Sequence, residues 1–344
     1  MTDLLSSLKI ADKLGNGHFG EVFRGSDDVH PQLAVKVIRP KGTDTPERWV
    51  QRKSDLIKEG SNLQKAAHEH VVQVHYINKA PTEDAIYLAM ELCEGGSLQG
   101  RYEAGPMPSG EVHKIATHVC HGLGSLHHRE MLHRDLKPGN ILVDKKGTVK
   151  LGDFGLVTDD LLLGYADIEG YIYVDHLAPE AYDSGLASHK TDYWALGMTL
   201  YRLLHGDSWY RSSPAPKHSV RDGGYADRLT WLPHVSSKWR RLIRAMLNDD
   251  PNSRLCTAKQ ALNSLADMAT ELSWECTLKD DQITWTRLKG DRRIEVVLTS
   301  SGKLAGWTAT SYPVGSGSKK LIGSSGGLVA KAVADKSLRK FFGT

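Results

Sequence analysis

The sequence predicts an α+β chain: a β-rich first lobe with one main helix, a mostly helical second lobe, and a small β-rich module at the end. Three observations carry this. Short β-branched runs separated by turns fill the chain up to residue 92. Residues 95–271 hold long stretches with apolar side chains at helical spacing. From Ser273 onward, short apolar runs broken by Asp-Asp, Lys-Gly-Asp and Ser-Ser-Gly turns return.

In the first lobe, residues 8–14 read as a strand running into Gly15, and residues 21–24 and 33–38 as the next two. Residues 48–67 carry Leu56, Leu63 and Ala67 at helical spacing, and residues 71–77 and 86–92 return to strand. In the second lobe, helices are expected over residues 111–128, 192–204, 237–247 and 257–270, with short strands at 140–143 and 149–151. Pro251 marks a turn between the last two helices. In the module, residues 274–279, 282–288, 292–298 and 304–310 read as strands, the Gly/Ser-rich stretch 315–327 as a flexible loop, and 328–342 as a closing helix. The resulting domains are 8–271, with lobes 8–92 and 95–271, and 273–344.

With 344 residues, 40% hydrophobic and 25% charged, the chain can bury a sizeable core. Cys93, Cys120, Cys256 and Cys276 lie far apart and form no C-x-x-C pair, which argues against a disulfide framework or cysteine zinc site and for a reducing compartment. The N-terminus has no basic stretch followed by an apolar one, so no signal peptide is expected. No apolar run is long enough for a membrane span, and a cytoplasmic location is the expectation. The net charge of +3 is unevenly spread: from Ser273 on, 12 Lys+Arg face 6 Asp+Glu, a net of +6, leaving −3 before it. A basic tail on a mildly acidic body suggests two units with different partners.

Gly15-Asn16-Gly17-His18-Phe19-Gly20 is a G-x-G-x-x-G, whose backbone can approach phosphates closely. A dinucleotide turn requires a helix after the glycines. Here Glu21-Val22-Phe23-Arg24 reads as a strand, which favours a strand–loop–strand phosphate lid. Lys36 ends the run Ala34-Val35-Lys36, and a carboxylate must hold it: Glu59 on the following helix, with Asp55 as the alternative.

Further on come His133-Arg134-Asp135-Leu136-Lys137-Pro138-Gly139-Asn140, then Asp153-Phe154-Gly155, then Ala178-Pro179-Glu180. With the glycine loop and the strand lysine, five motifs stand in the order found in protein kinases. Over residues 8–270 the chain resembles the eukaryotic-like (Hanks-type) serine/threonine protein kinase family, extended by Asp192 in Asp-Tyr-Trp-Ala-Leu-Gly and by Arg254.

The resemblance implies the bilobal kinase fold and transfer of the γ-phosphate of ATP to protein hydroxyls, with Mg²⁺. Asp135 is then the catalytic base and Lys137 a stabiliser of the transferring phosphoryl group. Asn140 and Asp153 hold magnesium, and Lys36 with Glu59 holds the α- and β-phosphates. The backbone of residues 15–20 covers the nucleotide, Val22, Ala34 and Leu142 sandwich the adenine, and Met90 guards the back of the pocket. Glu91 and Cys93 belong to the hinge, and Cys93 is a candidate thiol handle. His133 is expected to pack against Phe154. Lys137-Pro138 implies serine/threonine over tyrosine, and Leu156 serine over threonine.

One departure stands out. Aligned on Ala178, Ile172-Tyr173 occupies the place where many relatives carry Gly-Thr. Arg134 implies an activation segment that autophosphorylates, with Thr158, Tyr165, Tyr171 and Tyr173 as candidate sites and Asp159, Asp160, Asp167 and Glu169 as built-in substitutes. His118, Cys120 and His121 are close in sequence but lack convincing zinc spacing. Two rival readings are a pseudokinase scaffold and a small-molecule phosphotransferase. For residues 273–344, with Trp274, Trp285 and Trp307, nucleic acid binding, protein docking or autoregulation, and structural support are the open roles.

Overall fold

The computed structural model describes residues 7–17, 20–42, 44–65, 67–81, 83–152, 166–167, 177–212, 220, 223–268 and 273–343. They fall into two compact units. One comprises Met1–Leu98, His118–Ile168 and Leu186–Asp192; the other comprises Gln99–Thr117, Glu169–Gly185 and Tyr193–Thr344.

The first unit opens with strands β1 (Lys9–Gly17), β2 (Gly20–Ser26) and β3 (Leu33–Ile38). Helix α1 (Pro46–Lys65) and strands β4 (Val74–Lys79) and β5 (Ile86–Met90) follow. They form one antiparallel sheet in the order β1-β2-β3-β5-β4. Every residue of β3 is buried, Lys36 within its otherwise apolar run included, and Leu33, Val35, Val37, Ala85 and Ala89 form one core cluster. On the α1 side, Trp49 packs with Ile38 and Ile86. The strand expected over 71–77 begins only at Val74. Before it, the Val71 N–H is taken by the His68 carbonyl and the Val72 N–H by the Leu151 carbonyl, so this stretch serves as a suture.

The other partner in that suture is the hairpin β6 (Ile141–Val143) and β7 (Val149–Leu151). The hairpin is also bonded to the segment after β5: Gly95 N–H to the Val143 carbonyl, Val143 N–H to that of Gly96, and Leu98 N–H to that of Ile141.

Helices α2 (Gln99–Ala104) and α3 (Ser109–His128) precede this hairpin. After it come the two-residue strand β8 (Ala166–Asp167), α4 (Pro179–Ser184), the two-residue strand β9 (Leu186–Ala187) and α5 (His189–Ser212). Helices α6 (Tyr225–Arg228), α7 (Ser237–Met246) and α8 (Ala258–Ala266) complete the helical part. Helix α5 runs past the expected end at 204 and breaks helical geometry at Gly206, with φ of 75°. A Cβ there would lie 2.6 Å from the Gly105 backbone, so only glycine allows this close approach. Ser236 and Thr257 cap α7 and α8 by accepting from Trp239 N–H and Gln260 N–H.

The C-terminal module is an antiparallel sheet of β10 (Glu275–Lys279), β11 (Gln282–Lys289), β12 (Arg292–Ser301), β13 (Leu304–Pro313) and β14 (Lys320–Ser324), in that order. β15 (Val329–Ala330) also pairs with β13, and α9 (Lys331–Phe342) closes the chain. Strand β14 corrects the flexible loop expected over 315–327. Residues 320–324 pair with Thr308–Ser311 of β13, a long-range constraint that Gly/Ser composition cannot reveal. The closing helix likewise starts at Lys331 because Val329 and Ala330 are taken into the sheet.

One face of the sheet, through Trp285, Ile294, Val296, Ala305, Trp307 and Ala309, is buried. Phe342 of α9 lies 5.2 Å from the Trp285 ring and 5.1 Å from that of Trp274. The three module tryptophans are therefore core residues, 0–5% exposed, and form no open aromatic surface. Within the same unit, Trp285 Nε1–H donates to Nδ1 of His234 at 2.9 Å, and Arg339 donates to the Trp231 carbonyl at 2.8 Å. The module is thus seated on the loop that enters α7.

Candidate active site

The glycine-rich segment is an antiparallel hairpin. β1 pairs with β2 through Asn16↔Glu21 and Gly17↔Gly20. This is the strand–loop–strand arrangement expected; His18 and Phe19 lie outside the described residues. Gly20 brings the hairpin close to β3: a Cβ there would lie 2.2 Å from the Val37 carbonyl oxygen.

Register then places the neighbouring residues. Val22 faces Lys36 across β2–β3, and Ala34 faces Met90 across β3–β5. Lys36 is 2% exposed. An ammonium so deeply placed requires an anionic partner. Glu59 lies on α1, its side chain outside the described residues, beside Gly60, where a Cβ would meet Ile77 of β4 at 2.7 Å. Asp55, the alternative, is exposed and accepts from Gln51 on its own helix.

At the hinge, Glu91 N–H donates to the Gln73 carbonyl, and the Glu91 carboxylate is 3.0 Å from Nζ of Lys150. Lys150, on β7, was not singled out from sequence. It fixes the residue that follows Met90. The Cys93 thiol is 9% exposed, and burial first, then the Glu91 charge, push it up to about 12. Burial and the neighbouring carboxylate thus both disfavour the thiolate, the form in which a thiol reacts.

The densest geometry lies in the loop before β6. Lys137 Nζ donates to both carboxylate oxygens of Asp135, at 3.0 and 2.8 Å. Asn140 Nδ2 donates to the Asp135 carbonyl at 2.7 Å and to its Oδ2 at 2.8 Å. Asp135 and Asn140 are 3% and 4% exposed. Both Asn140 contacts use its amide nitrogen, which turns Oδ1 the other way, as an oxygen donor for a hard cation. Gly152 N–H donates to the Asn140 carbonyl, so the backbone leading into Asp153 is tied to this loop. Asp153, Phe154 and the candidate phosphosites Thr158, Tyr165, Tyr171 and Tyr173 lie outside the described residues.

Asp192 explains how the loop is held. Its carboxylate accepts from the backbone N–H groups of His133 at 3.0 Å and Arg134 at 2.8 Å, and from Nε2 of His127 at 2.8 Å. Burial alone would raise this carboxyl, but the His127 ring and these donors outweigh it and hold it below the usual range. Arg134 takes up a left-handed φ of 67°, a strained turn that these bonds sustain. His133 is fully buried. Its Nε2 donates to the Gly152 carbonyl and its Nδ1 accepts from Asp135 N–H, so it braces the loop. The resemblance named Asp192, which stands directly before Tyr-Trp-Ala-Leu, but not its target, which lies 58 residues earlier.

In the other unit, Arg254 grips Glu180 with two bonds of 2.6 and 2.9 Å, under the ring of Trp194. The histidines near α3 also have structural tasks. His70 Nδ1 donates to the Val149 carbonyl, His118 Nδ1 accepts from Val149 N–H, and the two rings stack at 4.1 Å. Among the described residues no cluster is arranged to hold a metal ion.

A family model described as "Protein kinase domain" matches residues 8–265. The chain belongs to the protein kinase family. Among its curated relatives, Cell division control protein 7 of Schizosaccharomyces pombe is 32% identical over 258 residues, 74% of this chain and 23% of that protein. CDPK-related kinase 5 of Arabidopsis thaliana is 32% identical over 274 residues, 75% of this chain and 43% of that protein. Mitosis inhibitor protein kinase wee1 of Schizosaccharomyces pombe is 31% identical over 277 residues, 73% of this chain and 30% of that protein. The kinase thus spans less than half the length of these relatives. Its fold is the α+β kinase domain, a β-sheet lobe and a helical region, with the β-rich module added. No helix among the described residues is long and apolar enough to cross a membrane.

Proposed function

We propose that this kinase transfers the γ-phosphoryl group of ATP to serine or threonine hydroxyls of protein substrates. The Asp135–Lys137–Asn140 cluster is the observation that carries this reading. Asp135 accepts the proton of the substrate hydroxyl as its oxygen bonds to the γ-phosphorus, while the bond from that phosphorus to the β-bridging oxygen breaks and ADP leaves. Lys137, within reach of both Asp135 oxygens, keeps the carboxylate oriented and neutralises charge on the moving phosphoryl group. Asn140 Oδ1 and Asp153 would hold Mg²⁺, which when bound neutralises the triphosphate. Lys36, with Glu59, holds the α- and β-phosphates, and the backbone of Gly15, Asn16, Gly17, His18, Phe19 and Gly20 covers them.

Adenine lies between Val22, Ala34 and Leu142. The Glu91 carbonyl and Cys93 N–H meet its edge, since Glu91 N–H is already committed to Gln73. Serine/threonine selectivity rests on Lys137-Pro138, and the segment 156–177 is the place of autophosphorylation.

The test is Asp135→Asn with radiolabelled ATP and a generic protein substrate. Loss of the base should slow transfer by roughly 10²–10⁴ with nucleotide affinity retained. An unchanged rate would remove Asp135 from this role. Mass spectrometry after incubation with Mg-ATP should find phosphate between Leu156 and Leu177, and its absence there would overturn the autophosphorylation reading.

A further inference from the structure

The basic excess of the C-terminal module does not stand alone. Helix α9 is anchored to the loop before α7 by Arg339 on the Trp231 carbonyl and by Phe342 at 6.2 Å from His234. A groove of about 520 Å³ on α7 is lined by Arg240, Arg241 and Arg244, with no carboxylate among the described residues that line it. A second, about 490 Å³, is lined on α9 by Lys336, Arg339 and Lys340, with Asp335 as its one acidic residue. Asp335 is engaged by Arg339 Nε at 2.7 Å. Helix α9 is held beside the loop that enters α7 by the Arg339–Trp231 bond, and burial first, then repulsion from Arg339 and Arg244, hold Arg240 below the usual guanidinium range, with Asp335 opposing. Arg339 is committed to Asp335 and the Trp231 carbonyl, and the like charges gathered around it on this open face are Arg240, Arg241 and Arg244 of α7 with Lys336 and Lys340 of α9.

The chemistry narrows the occupant. Arg240 and Arg244 are one helical turn apart, on one face of α7, and guanidinium forks match tetrahedral oxyanions with paired bonds. A phosphoserine brings close to two negative charges and three acceptors on one side chain. Single-stranded nucleic acid would call for exposed rings on which bases stack. Neither groove has an aromatic lining residue, and the neighbouring Trp231 and Trp239 are 7% and 4% exposed.

We propose that the α7–α9 grooves form a docking site for a phosphorylated segment of a protein. This adds a substrate- or product-recruiting surface to the kinase reading and rests on that reading only for the source of such segments. Binding itself needs no ATP.

The test is fluorescence anisotropy of the full chain with a short fluorescein-labelled Gly/Ala peptide bearing a single phosphoserine. Its unphosphorylated twin and a labelled oligothymidine serve as comparisons. The phosphopeptide should bind about tenfold or more tightly than its twin. Arg240→Gln with Arg244→Gln should erase that preference. Because Arg240 is half-buried, Lys336→Gln with Lys340→Gln, both exposed, is the second variant and should weaken phosphopeptide binding several-fold. Both variants should keep full transfer to a generic peptide. Equal binding of the two peptides, or a preference undiminished in both variants, would overturn the proposal. So would tighter binding of the oligothymidine, which would reassign the surface to nucleic acid. Loss of transfer with phosphopeptide binding intact would instead count against the kinase reading alone.

Discussion

Lys137 sets its ammonium against both carboxylate oxygens of Asp135, at 3.0 and 2.8 Å. A carboxylate paired this way is oriented but not blocked, since it has further lone pairs for a hydroxyl. Lys137→Gln removes the charge and keeps a donor. Transfer should fall about 10²-fold in kcat, with ATP affinity changed far less. Steady-state kinetics separates the two. A variant with unchanged kcat would confine Lys137 to structural support.

Asp192 joins α5 to the strained turn at Arg134. Asp192→Asn keeps the shape but loses the charge that three donors share. It should cost roughly 2–4 kcal/mol of stability, read by urea unfolding. Because the folded carboxyl is held below its unfolded value, this stabilisation is complete above about pH 4 and lost as pH falls through the folded value. The variant should therefore be less acid-sensitive than the parent.

Arg254 and Glu180 form a two-bond pair on a guanidinium with no exposed side-chain surface. Arg254→Lys cannot reproduce the fork or its seat under Trp194. Thermal unfolding should report a loss of about 2–3 kcal/mol, and Glu180→Gln a loss of similar size. If both variants melt like the parent, the pair carries no net stability.

His205, with no exposed surface, and His234, 7% exposed, are buried near Trp231, and burial lowers each to about 3. The unfolded chain binds their protons near pH 6.5. Stability is then complete above about pH 6.5 and declines as pH falls toward 3, by roughly 1.4 kcal/mol per pH unit for each histidine. Urea unfolding between pH 7.5 and 5 should show this slope. His234→Gln should reduce it by about one proton. A flat profile in the parent would mean that these rings are not buried in neutral form.

The Asp135–Lys137–Asn140 cluster was legible in the sequence because its spacing is local. Asp135, Lys137 and Asn140 lie within six residues, and one turn brings them together. Strand β3 was equally readable, since burial on both faces yields an apolar run broken only by Lys36. The anchoring contacts were not, although the resemblance named Asp192 itself. Asp192 reaches back 58 residues and Lys150 reaches back to the hinge at Glu91, contacts that no period or propensity encodes. In the module the strands were foreseen, yet β14 was hidden because its order comes from pairing with β13. The tryptophans misled in the same way: composition cannot say whether an indole faces solvent or, as with Trp285, a buried histidine.

That histidine has a practical consequence. The stretch matched to the kinase family ends at residue 265, but the socket around Trp231 and His234 is filled by Trp285, Arg339 and Phe342 from beyond it. A fragment trimmed to the catalytic stretch would display bare indole and imidazole where an indole and a phenyl ring once fitted. Such a fragment should be sticky and short-lived in solution, so anyone isolating the enzymatic half would do well to keep the tail.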